Sequence, residues 1–308
     1  MLASPWDTPF ADPGWTFELK WDGVRCLLSA TDAGIRLDSR AGNDMTLRYP
    51  ELGKVTLPPD TVLDGEIVAL DEKGHPSFER LQGRMNLGGI GAEVAPTPIT
   101  YVVFDMLHCG ESLVGLPMEE RIERLAGLDL PAPLLVGDRF TGESQPLWDF
   151  VIAHNLEGLV AKRLGSRYQP GIRSPDWRKI GHFKQMRAVV GGFTKGTGSR
   201  ATTFGSMLLG LWTEAGLRWI GAVGSGFDDK SLHAIRSALD EMAIDASPFL
   251  TDDDIPAGST WVQPQLVSMV RYKQWTAAGR LRAPSFTGFT DSPVDAATWE
   301  QEGPALPA

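Results

Sequence analysis

Two cysteines in 308 residues, Cys26 and Cys109, with neither CxxC spacing nor a companion cluster of histidines, exclude a disulfide framework and argue against structural zinc. Both sit in apolar, strand-like surroundings and are expected as buried free thiols. No stretch approaches the roughly 18 apolar residues of a membrane span. The opening MLASPWDTPFADPGW carries neither a basic run nor a long apolar one, so a soluble cytoplasmic protein without membrane contact is expected. Positive charge is also short: 29 Lys and Arg stand against 39 Asp and Glu, for a formal net charge of -10. That balance argues against a generally basic nucleic-acid coat but leaves room for a local phosphate-binding patch. No internal repeat or long low-complexity tract is present.

With 42% hydrophobic composition the chain can bury a real core, and its length favours two domains. In FELKWDGVRC, period-2 alternation puts Phe17 and Leu19 on one side of a strand and Glu18 and Lys20 on the other. Asp22-Gly23 is a turn signal before a second strand over residues 24–30, which predicts a hairpin with Lys20 at its mouth. Further strand patterns lie at residues 62–70, 101–107 and 158–163. PMEERIERLAG predicts a helix with proline in its first turn and glycine after its end, and PLWDFVIAHN predicts another. Residues 162–187 hold eight Lys or Arg against the single acid Asp176, an asymmetry that favours a phosphate-facing surface in an acidic protein.

Beyond Arg187 the texture changes to short strands joined by glycine-rich turns (AVVGGFTKGTG, SMLLGLWTEAGLRWIGAVG, WVQPQLVSMVRYKQW), with one helix at DKSLHAIRSALDEMA. About five strands and a helix suit a small Greek-key barrel of the OB type. The expected domains are residues 1–186, residues 187–295 and a flexible acidic tail over residues 296–308.

Five separated elements occur in a fixed order: KWDGVR at Lys20, DGEIVA at Asp64, YVVFDML at Tyr101, EGLVAK at Glu157 and SPDWRKI at Ser174. Together they resemble the covalent nucleotidyltransferases, and most closely the ATP-dependent DNA ligases of the short bacterial ligase C type. The resemblance implies an α/β (α+β) nucleotidyltransferase domain of antiparallel sheets followed by an all-β OB-fold barrel. It also implies sealing of nicked duplex DNA in repair, with ATP and Mg²⁺ or Mn²⁺. Lys20 matches the lysine that takes AMP from the α-phosphate of ATP and passes it to a DNA 5′-phosphate, which the 3′-hydroxyl then attacks. A free lysine, with a pKa of about 10.4, must lose its proton to attack, and neighbouring cations help.

The remaining roles follow from the same resemblance. Asp22 orients the amine or helps hold the metal, and Glu157 is the metal-binding glutamate. Glu18 recognises adenine, Arg40 and Glu66 contact the ribose hydroxyls, and Phe104 and Val160 cover the two faces of the base. Lys162 and Lys179 contact the α-phosphate, Arg173 the triphosphate, and Arg25 the nick 5′-phosphate. Two departures stand out: Gly181 replaces a second lysine after Lys179, and GFTDSP places Thr290 and Ser292 where relatives carry cations that orient pyrophosphate. Alternative readings are an RNA-type ligase, a GTP-using capping-like nucleotidyltransferase and a weakly catalytic nick-binding protein. Partners are expected to be DNA and a repair polymerase or end-binding protein in trans, with the chain a monomer.

Overall fold

The computed structural model describes residues 1–85, 97–251 and 254–304 and divides into two compact units, Met1–His182 and Phe183–Ala308. The division falls earlier than the expected 186/187. The strand Lys184–Lys195 pairs from its first residue with strands of the second unit, Lys184 standing opposite Tyr272.

In the first unit the strands are β1 (Leu2–Trp6), β2 (Ala11–Leu19), β3 (Val24–Thr31), β4 (Gly34–Ser39), β5 (Thr61–Val68), β6 (Thr100–Cys109), β7 (Leu134–Val136), β8 (Phe140–Glu143), β9 (Gly158–Arg163) and β10 (Arg173–Gly181). The helices are α1 (Pro50–Gly53), α2 (Phe78–Met85), α3 (Met118–Ala126) and α4 (Gln145–Ala153). They accompany two five-stranded sheets, ordered β1-β10-β9-β2-β8 and β4-β3-β5-β6-β7. Pairing is antiparallel except for β1 with β10 and β6 with β7.

The predicted hairpin does not form: β2 pairs with β8 and β9, whereas β3 pairs with β4 and β5 in the other sheet. Trp-Asp-Gly is therefore a crossing between sheets. Gly23 serves it by close approach, since a Cβ there would lie 2.1 Å from the Ile67 carbonyl oxygen. The predicted alternation of β2 does hold. Phe17 joins Leu159, Ala161 and Ile180 in a core closed by Leu147 and Val151 of α4, with Leu19 against it, leaving Glu18 and Lys20 on the opposite face. Burying such aromatic and aliphatic side chains contributes about 1.5–3 kcal/mol each. Cys26 is a buried free thiol, and burial pushes it up to about 12, but Cys109 is only partly buried.

The second unit contains β11 (Lys184–Lys195), β12 (Phe204–Thr213), β13 (Gly216–Val223), α5 (Asp229–Glu241), β14 (Ala243–Ile244), β15 (Thr260–Tyr272), β16 (Gln274–Trp275), β17 (Leu281–Arg282), β18 (Ser285–Thr290) and α6 (Trp299–Glu302). A reciprocal cap starts α5, with Asp228 accepting from the Ser231 amide and the Ser231 hydroxyl accepting from the Asp228 amide. The main sheet runs β13-β12-β11-β15-β14, with β18 also on β15. This is the OB-type unit expected, except that among the described residues its pairing follows an open path and not a closed ring. The supposed tail also differs. Ala297 is buried, the Arg218 guanidinium lies 3.9 Å from the Trp299 ring, and Arg187 pairs with Glu302, so α6 is packed down. Residues 305–308 of that tail lie outside the described residues.

Candidate active site

Register brings the expected site residues of the first sheet together. Glu18 stands opposite Val160, which stands opposite Lys179, and two residues along, Thr16, Lys162 and Trp177 form a parallel row. The second sheet contributes Arg25 opposite Glu66, and Phe104 at a bulge between the pairs Asp64–Asp105 and Gly65–Val103. One pocket is lined by Glu18, Lys20, Arg25, Arg40, Glu66, Phe104, Val160, Lys162, Arg173 and Lys179, joined by Trp21, Trp177 and the N-terminal strand. Ten of the twelve expected residues thus share one cavity; Asp22 and Glu157 are not among its lining residues.

Glu157 is nevertheless adjacent, its Oε1 2.6 Å from Lys20 Nζ. Backbone geometry fixes this meeting: the Lys20 amide donates to the Gly158 carbonyl at 2.9 Å, and the His182 amide donates to the Glu157 carbonyl at 2.9 Å. Gly158 has φ of 139°, and a Cβ there would lie 2.0 Å from the Ile180 carbonyl oxygen. Its smallness is required by the neighbouring strand. Gly181 faces Gly158 across the same ladder, at the position where a second lysine was expected. Burial pushes the Glu66 carboxyl up to about 8; Lys20 pulls it down, while the charge of Glu157 pushes it further up.

Two expected phosphate ligands are committed elsewhere. Lys162 is 1% exposed, donating to Glu18 Oε2 at 2.9 Å and to the Phe104 carbonyl at 2.9 Å, with its ammonium 4.5 Å from the Trp177 ring. Burial lowers its pKa against the pull of Glu18. Arg25 makes a two-pronged pair with the buried Asp64, at 3.0 and 2.7 Å, and Tyr168 donates to the same carboxylate at 2.7 Å. Its charge is neutralised within the protein, and stacking near Phe104 and Trp177 holds it further. The basic segment accordingly spends much of its charge internally. Arg178 lies 3.8 Å from the Trp6 ring and 4.2 Å from the Trp15 ring, while the exposed Arg163 reaches Asp176 at 3.4 Å. Arg40, Arg173 and Lys179 line the cavity, Arg173 also donating to the Ala3 carbonyl. In the second unit the Thr290 and Ser292 hydroxyls hydrogen-bond each other at 3.0 Å.

Four further residues shape this site without having been singled out: Asp64, Tyr168, Trp177 and Arg139. Asp64 and Trp177 lie inside quoted motifs, so their positions were visible while their partners were not. Arg139 stands in a loop with no pattern around it, yet its Nε donates to Glu18 Oε1 at 2.8 Å and its Nη2 to the Phe104 carbonyl at 3.0 Å. Behind the site, Arg121 and Asp105 form a fully buried pair with two bonds of 2.8 Å.

Among the described residues no group of three His, Cys, Asp or Glu side chains is arranged to hold a metal. No helix among them is long and apolar enough to cross a membrane. The described residues thus offer no protein-only cage, but Mg²⁺ ordinarily takes only one or two carboxylates and completes its shell with water and substrate phosphates. Glu157 beside the acid-crowded Glu66 fits that mode.

Comparison with known proteins agrees with this geometry. A family profile described as "ATP dependent DNA ligase domain" matches residues 1–181, and one described as "ATP dependent DNA ligase C terminal region" matches residues 200–292. The chain is 38% identical over 282 residues to the multifunctional non-homologous end joining DNA repair protein LigD of Mycobacterium tuberculosis, covering 89% of this chain and 36% of that protein. The LigD of Pseudomonas aeruginosa is 37% identical over 302 residues, covering 93% of this chain and 35% of that protein. This chain therefore spans about a third of the length of these relatives. A solved mycobacterial DNA ligase D complexed with ATP and MES superposes with a TM-score of 0.54 at 34% identity, covering 96% of both chains. With both units matched and the motif residues gathered around one lysine, the chain belongs to the family of ATP-dependent DNA ligases.

Proposed function

We propose that this chain seals nicks in duplex DNA, drawing on ATP through Lys20. The observation that carries the reading is the single cavity in which Lys20, paired with Glu157, meets carboxylates, cations and an aromatic ring from both sheets. In the first step Lys20 Nζ, once deprotonated, attacks the α-phosphorus; an N–P bond forms, a P–O bond breaks, and pyrophosphate leaves. In the second, a DNA 5′-phosphate oxygen attacks the same phosphorus and the lysine departs. In the third, the 3′-hydroxyl attacks the DNA phosphate, AMP leaves, and the phosphodiester is closed.

Lys179, Arg173 and Arg40 line the cavity and are proposed to meet the oxygens that gain charge, an electrostatic role that depends on fixed positions. Glu66 and Arg40 would hold the ribose, one accepting and one donating. Phe104 and Val160 would flank the base. Lys162 acts on phosphate only if it leaves Glu18, so its assigned part is to hold the base pocket. Arg25 would meet the nick phosphate by exchanging or sharing Asp64. A divalent cation held by Glu157 and Asp22 would supply further neutralisation of phosphate charge. Glu18 favours ATP over GTP, because a carboxylate accepts from the 6-amino group of adenine and repels the 6-oxygen of guanine. The DNA is proposed to come from repair, in keeping with relatives named as multifunctional non-homologous end joining proteins, and a repair polymerase or end-binding protein is proposed to act in trans.

The test is incubation with α-labelled ATP and Mg²⁺. Acid-labile label should appear on the wild type, vanish in Lys20→Ala, and fail to appear with GTP. The labelled protein should then seal a nicked duplex. Label surviving Lys20→Ala would overturn the assignment, and a marked preference for an RNA nick would move the substrate.

A further inference from the structure

We infer that Arg139 is the positioning residue of the base pocket, aiming the Glu18 carboxylate and the Phe104 ring together and so setting the preference for a 6-aminopurine; the inference rests on the nucleotide reading above.

The chain around Arg139 passes from one sheet to the other. β7 ends at Val136 in register with Val103 of β6, and the Gly137 amide donates to the Val103 carbonyl at 3.2 Å. β8 begins at Phe140, opposite Phe17 of β2. Continuing that antiparallel register by one step sets Arg139 beside Glu18, at the point where the connection leaves the second sheet and enters the first. Its side chain, 14% exposed, then bonds to both: Nε to Glu18 Oε1 at 2.8 Å and Nη2 to the Phe104 carbonyl at 3.0 Å.

Lys162 mirrors it from the opposite flank, bonding Glu18 Oε2 at 2.9 Å and the same Phe104 carbonyl at 2.9 Å. The two cations have different reach. Arg139 offers a rigid planar fork that fixes an angle between two acceptors, whereas an ammonium is a rotatable point charge. Each Glu18 oxygen keeps capacity for a further donor after these bonds. Glu18 lines the cavity, so that capacity faces the nucleotide. The Phe104 carbonyl is available because the bulge takes this residue off the regular ladder, and holding it also holds the ring expected against the base. Arg139 need not touch the nucleotide to govern it.

The discriminating measurement is the rate of enzyme–AMP formation with ATP and with purine riboside triphosphate, which lacks the 6-amino group, each over a range of concentration. Wild type should prefer ATP. In Arg139→Ala the half-saturating ATP concentration should rise about tenfold or more, the scale of one charge-assisted hydrogen bond, with a smaller change in maximal rate. The preference for ATP over the analogue should shrink at the same time. Arg139→Lys, which restores charge but not the fork, should recover part of the affinity and less of the preference. A thermal melt of each variant accompanies the kinetics.

An Arg139→Ala enzyme that loses rate equally with both nucleotides, or that only melts earlier, would show a mere brace and overturn the proposal. Full recovery of both affinity and preference by lysine would overturn the role of the fork. Failure of wild type to label with either nucleotide would instead overturn the lysyl-AMP reading, and this inference with it. A wild type that labels but does not prefer ATP over the analogue overturns the inference and the assignment of the 6-amino group to Glu18, while the lysyl-AMP reading stands.

Discussion

Gly23→Ala is expected to damage both stability and chemistry, although Gly23 is not among the glycines with positive φ and alanine has no dihedral objection to the position. The obstacle is space. An added Cβ would sit 2.1 Å from the Ile67 carbonyl oxygen and 2.9 Å from Val68 Cγ1, both on β5. Normal carbon contacts lie at about 3.5–4.0 Å, so the crossing and β5 must part by about 1 Å or more. Overpacking a filled interior costs about 1–3 kcal/mol, and an immovable backbone atom places this case at about 3 kcal/mol. Lys20 rides on the same crossing, and a displacement of about 1 Å in a reacting group costs about a hundredfold in rate. Urea unfolding and the single-turnover rate of lysyl-AMP formation would measure the two effects. A variant within about 0.5 kcal/mol of wild type, the range of inert surface changes, and labelling at the normal rate would refute close approach as the reason for this glycine.

Asp105→Ala should destabilise the first unit by about 3–5 kcal/mol, because it strands the fully buried Arg121 guanidinium; denaturant midpoints of the variant and wild type would test it. Glu66 titrates in the fold at about 8, above its ordinary 4.5, so the unfolded chain ionises it first. The stability this group contributes is complete below the ordinary value and is lost as pH rises toward the folded value. Glu66→Gln should therefore gain on the wild type in thermal stability as pH is raised from about 5 to about 8, and parallel melting curves would contradict the shift.

Much of the site was legible in the chain because the chemistry of nucleotidyl transfer uses short, ordered motifs. Lys20, Glu157, the pair of Arg40 with Glu66, and Phe104 could be proposed from the family resemblance that the five ordered motifs carry. The alternating facing of β2 was legible too, since the side to which successive side chains point is a local property that survives whatever the strand pairs with, although here both faces are covered and Trp15, Thr16, Phe17 and Glu18 are all buried. The same locality misled at Asp22-Gly23. A turn signal cannot distinguish a hairpin from a passage between sheets, because the choice depends on which distant strands offer hydrogen bonds. Here those strands are β9 and β5.

Charge was the least legible property. Counting Lys and Arg over residues 162–187 suggested a surface open to phosphate, but Lys162, Arg178 and Arg187 find acids or rings within their own units. Whether a cation is free to meet a ligand depends on its fully folded neighbours. Arg25 shows this with Asp64 and Tyr168, as Arg139 does with a glutamate far away in sequence. Sequence by itself determined the family, the nucleophile expected for it and the periodicity of the strands that carry the site. Only the tertiary structure decided which sheet each strand joined, which basic residues line the cavity and which are locked, because pairing and burial are set between residues that the chain keeps apart.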